Sequence, residues 1–175
     1  MLEEEYQPRR KLPSHLKPAP VPETPFEYVM RDAVVEDLPY VREIYNHYVL
    51  NSTVTFDEKP MTLAEIKRKF AKTQEKKMPF IVAENPAGQL LGYAYVYPWK
   101  EKAAYRFTVE NSIYLGPAST GKGLGKALMT ELIARSRAAG LKEIVAVIAD
   151  KGADASIEMH KNFGFRQIGH MGKVG

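Results

Sequence analysis

The sequence predicts an α/β layered domain, with helices on both sides of a central sheet, and three observations predict it. Short apolar runs alternating with period two recur from residue 26 onward. Between them stand segments whose apolar residues recur at helical spacing behind capping signals. The third observation is GPASTGKGLGKAL, residues 116–128, a glycine-rich turn set between a strand-like run and an amphipathic helix. Helices interleaved with strands in this way read as a sheet covered on both faces.

The elements follow in order. Residues 26–31 alternate and read as a strand. Asp37 then stands where a helix N-cap is expected, ahead of Leu38, Val41, Ile44, Tyr45 and Tyr48 on one face, with Pro39 tolerated in the first turn. Thr62 and Glu65 form a capping box for a second helix to about residue 73, which carries Leu63, Ile66 and Phe70 inward. Residues 79–84 and 90–98 are β-rich and separated by Asn85, Pro86 and Gly88, a hairpin. A long strand over about 105–115 leads into the glycine turn. The helix after it places Leu124, Leu128 and Leu132 on one side and ends at Gly140. Residues 143–149 read as a continuous apolar strand, 155–162 as a short helix, and 165–170 as the start of another strand.

Composition bounds the function. At 175 residues the chain suits one domain. Six of its twelve prolines fall at positions 8, 13, 18, 20, 22 and 25, a density that blocks helix and ladder alike, so residues 1–25 read as a mobile extension ahead of a domain over 26–175. That extension lacks the apolar core of a signal peptide, and no run approaches the ~20 apolar residues of a membrane span, so a soluble protein is expected. The chain has no cysteine, which excludes disulfides and a cysteine nucleophile and fits a reducing cytoplasm. The formal charge of +4 is modest, and runs such as 67–69 and 76–77 read as solvated surface. No basic face interleaved with aromatic platforms points to nucleic acid. Histidines at 15, 47, 160 and 170 show no ligand spacing, so no metal is expected.

The glycine turn is a socket for phosphate, because the first N–H groups of a helix are unpaired and the helix dipole adds partial positive charge there. Three phosphate motifs compete for it. The pattern G-x-x-x-x-G-K-[ST] is met by Gly116, Gly121 and Lys122, but Gly123 stands where a hydroxyl must hold magnesium. The dinucleotide pattern G-x-G-x-x-G starts at Gly123 and Gly125 and finds Leu128 in place of its third glycine. The pattern Q/R-x-x-G-x-G/A, the pyrophosphate loop of GCN5-related N-acetyltransferases, is met by Gly123 and Gly125, with Thr120 at its first position. That departure removes one side-chain contact and leaves the backbone donors.

With this loop placed, the order of elements from residue 26 onward resembles the GCN5-related N-acetyltransferase (GNAT) fold, a mixed, mostly antiparallel sheet flanked by helices. The segments REIYNHYVLNSTVTFDEKP, YVYPWKEKAAYRFTVENSIYL, VAVIA, ASIEMHKNFGF and GHMGKVG are similar to the subfamily that acetylates phosphinothricin, methionine sulfone and methionine sulfoximine. Two departures stand out. Ala153 replaces an asparagine usual before the A-S-I segment, which removes a capping contact. Members also continue past the closing G-K-V-G into an aromatic, basic segment and a last strand. The resemblance therefore implies a domain without that strand, with a sheet edge and part of a pocket wall uncovered.

The resemblance implies acetyl-CoA as co-substrate, held by Ile113, Tyr114 and Leu115 of the strand and by Thr120, Gly121, Lys122, Gly123, Leu124, Gly125 and Lys126 of the turn. The same strand characteristically carries a bulge near Ile113 or Leu115, whose N–H would support the thioester carbonyl. Acetyl transfer to an amine needs a neutral lone pair, a positioned thioester, oxyanion donors and a proton for the thiolate. Pattern alone leaves Glu110 open between a solvent-facing strand position and a base. The resemblance selects the base, shielded by Trp99, Tyr105 and Tyr114. His160, which would otherwise read as a packed helix histidine, stands where many relatives carry a tyrosine that protonates the thiolate. Substrate contacts are implied for Trp99, Lys100, Lys102, Tyr105, Tyr114 and Phe56. Asn46, Tyr48 and Thr53 share with Phe56 the segment that covers the amino-acid pocket. Lys102 replaces an arginine found in some relatives and so lacks the planar fork. A homodimer is also implied, and direct attack in a ternary complex follows from the lack of a covalent acceptor. A protein N-terminal or lysine acetyltransferase and a non-catalytic coenzyme A-binding module are the competing readings.

Overall fold

A computed structural model describes residues 25–172. Most of the proline-rich extension (1–24) and the end of the chain (173–175) lie outside the described residues, and with them the expectations placed there. The elements are β1 (Val29–Asp32), α1 (Leu38–Asn51), α2 (Leu63–Glu75), β2 (Phe80–Glu84), β3 (Leu90–Pro98), β4 (Thr108–Leu115), α3 (Leu124–Ala138), β5 (Glu143–Val145) and α4 (Asp154–Asn162). The strands lie in sequence order in one five-stranded sheet. Every neighbouring pair is antiparallel except β4 and β5, which run parallel.

Period-two alternation sorts side chains into two cores. Phe80 and Val82 of β2 and Tyr93 and Tyr95 of β3 meet Leu38 and Val41 of α1 and Ile66 and Phe70 of α2. The alternate residues Ile81, Ala83, Ala94, Val96 and Val109 meet Leu124, Leu128 and Leu132 of α3. Those three leucines are fully buried and contribute roughly 1.5–3 kcal/mol each. β2 is covered on both faces, which explains its unbroken apolar run. On the α1 and α2 side the aromatic rings stack, Phe80 on Tyr95 at 4.9 Å and Tyr93 on Tyr114 at 5.4 Å between centroids.

The capping box at Thr62 and Glu65 forms as expected, with Thr62 Oγ1 accepting from Glu65 N at 3.3 Å and Glu65 accepting from Thr62 N at 2.8 Å. Asp37 differs. It closes a 3-10 turn, Val35–Asp37, and has helical dihedrals itself, so it does not cap α1. Its carboxylate accepts from Val34 N at 2.8 Å and takes both nitrogens of Arg31 at 2.7 and 2.9 Å, while Arg31 also reaches Glu84 at 2.5 Å. Burial pushes the Asp37 carboxyl up, but these hydrogen bonds outweigh it and hold the group below its ordinary range.

Three strand expectations are corrected. β4 starts at Thr108, because Ala103–Tyr105 form a 3-10 turn. β5 pairs only over Glu143–Val145, and residues 146–149 continue without a ladder. Residues 165–170 form no strand. The bulge expected near Ile113 is also not there: register runs unbroken from Gly92↔Leu115 to Pro98↔Val109, and the slip in the sheet lies between β2 and β3 at Ala83 and Glu84. At α4 the cap residue Ala153 makes no side-chain cap bond.

Gly92 lets β3 and β4 close up where they support the glycine turn. A Cβ there would stand 2.9 Å from the Tyr114 carbonyl oxygen and 3.3 Å from Leu115 Cα. Gly92→Ala is expected to cost about 1–3 kcal/mol, read as a lower urea midpoint with an unchanged slope.

Candidate active site

The site begins where β5 leaves β4. The bonds Trp99 N to Thr108 O (3.2 Å) and Gly116 N to Leu91 O (2.8 Å) set the phase of the β3–β4 ladder. In that phase the backbone groups of residues 110, 112 and 114 turn to β3, and those of 109, 111, 113 and 115 turn away from it. β5 covers that outward edge only as far as Glu110↔Val145. Beyond it, Ile113 and Leu115 face an edge with no strand neighbour among the described residues. Tyr48, from α1, donates its hydroxyl to Leu115 O at 2.8 Å.

The edge runs into the glycine turn. Gly121 and Gly123 have φ of +73° and +82°, and Gly123 is the N-cap of α3. The first intrahelical bond is Ala127 N to Gly123 O at 3.2 Å, so the amides of Leu124, Gly125 and Lys126 are the free donors of this terminus. Gly125 sits where three elements meet: a Cβ there would lie 3.5 Å from Met159 Sδ of α4 and 3.7 Å from Leu115 Cδ1. Thr120 turns its hydroxyl back to Pro117 O at 3.1 Å, and Lys122 lies 4.8 Å over the Phe26 ring. An open backbone edge leading to helix amides fits a pantetheine arm ending in a pyrophosphate.

Glu110 lies on the α1 and α2 side of β4 with Tyr114, opposite Tyr97 in the ladder. It is half-buried, and that burial raises its pKa, while the positive charges of Lys69 and Lys100 pull it down. Tyr114 packs against Tyr45 at 5.2 Å and Tyr48 at 5.4 Å, so its ring belongs to this wall. Tyr45 donates to Asp57, and Asn46 ties α1 to the following loop through both Met61 backbone groups at 2.7 and 3.0 Å. Lys100 rests 4.8 Å over the Trp99 ring. Phe56, Lys102 and Tyr105 are exposed, and none hydrogen-bonds a member of this group.

His160 is on the other face. Its Nδ1–H donates to Ser156 O at 2.7 Å, and its Nε2 accepts from the Asn111 amide at 2.9 Å. Asn111 directly follows Glu110, so strand alternation alone separates the two candidates. Burial lowers the His160 pKa and the Ser156 bond raises it less, leaving a neutral ring with its single N–H committed. The Asn111 Oδ1 is buried without a partner.

Two contributors were missed from sequence. Asn111 carried no signal of its own. Lys69 did, because 66, 69, 70 and 73 form one helical stripe, and Ile66, Phe70 and Thr73 are all buried.

Acyl transfer from a coenzyme A thioester needs a place for the carrier and a shielded group able to take a proton. An open edge with free helix amides and a half-buried carboxylate can supply that chemistry, and comparison with known proteins gives an acyltransferase class. The chain belongs to the acetyltransferase (GNAT) family, whose model matches residues 41–165, and it is an acetyl-CoA-dependent N-acetyltransferase. It is 39% identical over 147 residues to phosphinothricin N-acetyltransferase from Alcaligenes faecalis, covering 84% of this chain and 73% of that one. It is 42% identical over 146 residues to the L-methionine sulfoximine/L-methionine sulfone acetyltransferase of Pseudomonas aeruginosa, covering 83% and 84%. Among solved structures, a phosphinothricin acetyltransferase from Sinorhizobium meliloti in complex with acetyl-CoA superposes with a TM-score of 0.77 at 41% identity, over 81% of this chain and 76% of that one.

Were Glu110 the proton acceptor, its raised pKa would make the rate climb with pH through a range above the ordinary carboxylate value of 4.5, as it loses its proton. Glu110→Gln is expected to lower kcat about 10²–10⁴-fold and to erase that limb from the pH profile of kcat/KM. Gly123→Ala forces a side chain into the left-handed region at about 1–2 kcal/mol, so the KM for acetyl-CoA should rise roughly tenfold with little change in kcat.

Proposed function

We propose that this chain acetylates the α-amine of a small amino acid of the phosphinothricin, methionine sulfone or methionine sulfoximine type, with Glu110 as the proton acceptor. The half-buried Glu110, opposite Tyr97 and one strand position from the open β4 edge, carries this reading. Glu110 takes the ammonium proton directly or through one water, and the freed nitrogen attacks the thioester carbon. The N–H of Ile113 or of Leu115, on the uncovered edge, supports the carbonyl oxygen as charge develops. The N–C bond forms, the C–S bond breaks, and the second proton of the nitrogen passes through solvent to the departing thiolate, giving amide and free thiol. His160 is assigned to holding Asn111, because its one N–H is already given to Ser156. Trp99, Lys100 and the tyrosines of α1 and β3 exclude water and position the amino acid.

The names of the relatives support the substrate class, and the resemblance of the chain to them supports a homodimer and a cytoplasmic location. Among the described residues no helix is long and apolar enough to cross a membrane, and no cluster of three His, Asp or Glu side chains could hold a metal.

The test is thiol release from acetyl-CoA against L-methionine sulfone, L-methionine sulfoximine, L-phosphinothricin and a lysine peptide, with sedimentation to read the oligomer. Turnover confined to the amino acids is the expected result. Turnover of the peptide alone would replace the reading with a protein acetyltransferase, and coenzyme A binding without turnover would leave a binding module.

A further inference from the structure

Lys69 is a half-buried cation with no carboxylate within 4.0 Å among the described residues. Its Nζ lies 5.9, 5.6 and 5.9 Å from the ring centroids of Tyr45, Tyr95 and Tyr97, and it donates to the Tyr95 hydroxyl at 3.3 Å. Rings and a neutral hydroxyl hold an ammonium in place without neutralising it. The neighbouring Lys72, one turn on, has its own partner in Glu101 at 3.4 Å. A positioned, unpaired, partly desolvated charge calls for an anion from outside the chain.

Room for one is present. A cavity of about 420 Å³ beside Lys69 is lined by four cations, Lys59, Arg68, Lys69 and Lys72, against two carboxylates, Asp57 and Glu65. Both carboxylates already accept hydrogen bonds, Asp57 from Tyr45 and Glu65 from Thr62. Tyr97 forms part of the cavity wall and is also the cross-strand neighbour of Glu110. The Glu110 carboxylate feels the charge of two cations from separate elements, Lys69 on α2 and Lys100 after β3. A substrate with its amine at Glu110 carries its α-carboxylate one carbon from that amine, and the two cations offer one partner for that carboxylate and one for a group further along the side chain.

We propose that Lys69 is a specificity-determining residue that binds a second acidic group of the substrate, so that the site favours amino acids carrying two anionic groups over those carrying one. This rests on the acetyltransfer reading above and adds to it a choice within that substrate class.

The experiment compares L-phosphinothricin, whose side chain ends in a phosphinate, with L-methionine sulfone, whose side chain ends neutral. Wild type, Lys69→Met and Lys69→Arg are assayed on the full chain, with thermal melts to confirm folding. The ratio of kcat/KM for phosphinothricin over the sulfone is expected to fall about 10–100-fold in Lys69→Met, mostly through KM, and to recover in Lys69→Arg. An unchanged ratio would overturn the proposal. An unchanged ratio with the acid limb of the pH profile moved up for both substrates would show instead that Lys69 serves to lower the Glu110 pKa. Should wild type acetylate neither compound, calorimetric titration of both into the coenzyme A complex reads the same difference. Equal binding of phosphinothricin to wild type and Lys69→Met would then sink the anion site, separately from the loss of the acetyltransfer reading.

Discussion

The parting of β5 from β4 is the constraint on which the site depends. A strand edge inside a domain is normally paired, since an unmade backbone hydrogen bond is costly once buried. Here the parallel ladder stops after Glu110↔Val145, and the outward groups of Ile113 and the outward N–H of Leu115 are left for a ligand to satisfy, Leu115 O being taken by the Tyr48 hydroxyl. The glycine turn adds the donors of α3 at the far end of the same edge. One strand departure thus creates a continuous track of main-chain donors and acceptors. It depends on backbone direction more than on side-chain identity, which explains how Thr120 can replace a glutamine or arginine in the loop.

The second constraint is the two-residue period of β4. Glu110 and Asn111 are adjacent in sequence and face opposite layers, Glu110 toward the tyrosine wall under α1 and α2, Asn111 toward His160 on α4. A half-buried carboxylate and a histidine-bonded amide are therefore kept on opposite sides of a single strand. A direct relay between Glu110 and His160 is ruled out by that geometry, whatever their individual pKa values.

Much of this was legible in the sequence. The helices declared themselves through 3.6-residue spacing and, at Thr62 and Glu65, through a capping box that forms as written. The strand, turn and helix around Gly116–Lys126 were read from glycines whose left-handed φ the fold requires at 121 and 123. Elsewhere local signals met tertiary competition. Asp37 looks like a cap, but Arg31 and the Val34 amide claim its carboxylate. The apolar run over 143–149 reports burial and not pairing, so it could not say that the ladder ends at Val145. The 165–170 run had alternation and found no partner strand. Lys69 was read with its neighbours as solvated surface because charge ordinarily marks the outer face, although its place in the 66, 69, 70, 73 stripe points inward.

The chain contains a single tryptophan, and that residue is Trp99, with the Lys100 ammonium lying 4.8 Å over its ring. A cation at that distance shifts indole emission, and any ligand that draws the ammonium away relieves the shift. All tryptophan fluorescence of the protein therefore arises at the end of β3, so a ligand that reaches the Lys100 ammonium is read optically without a label.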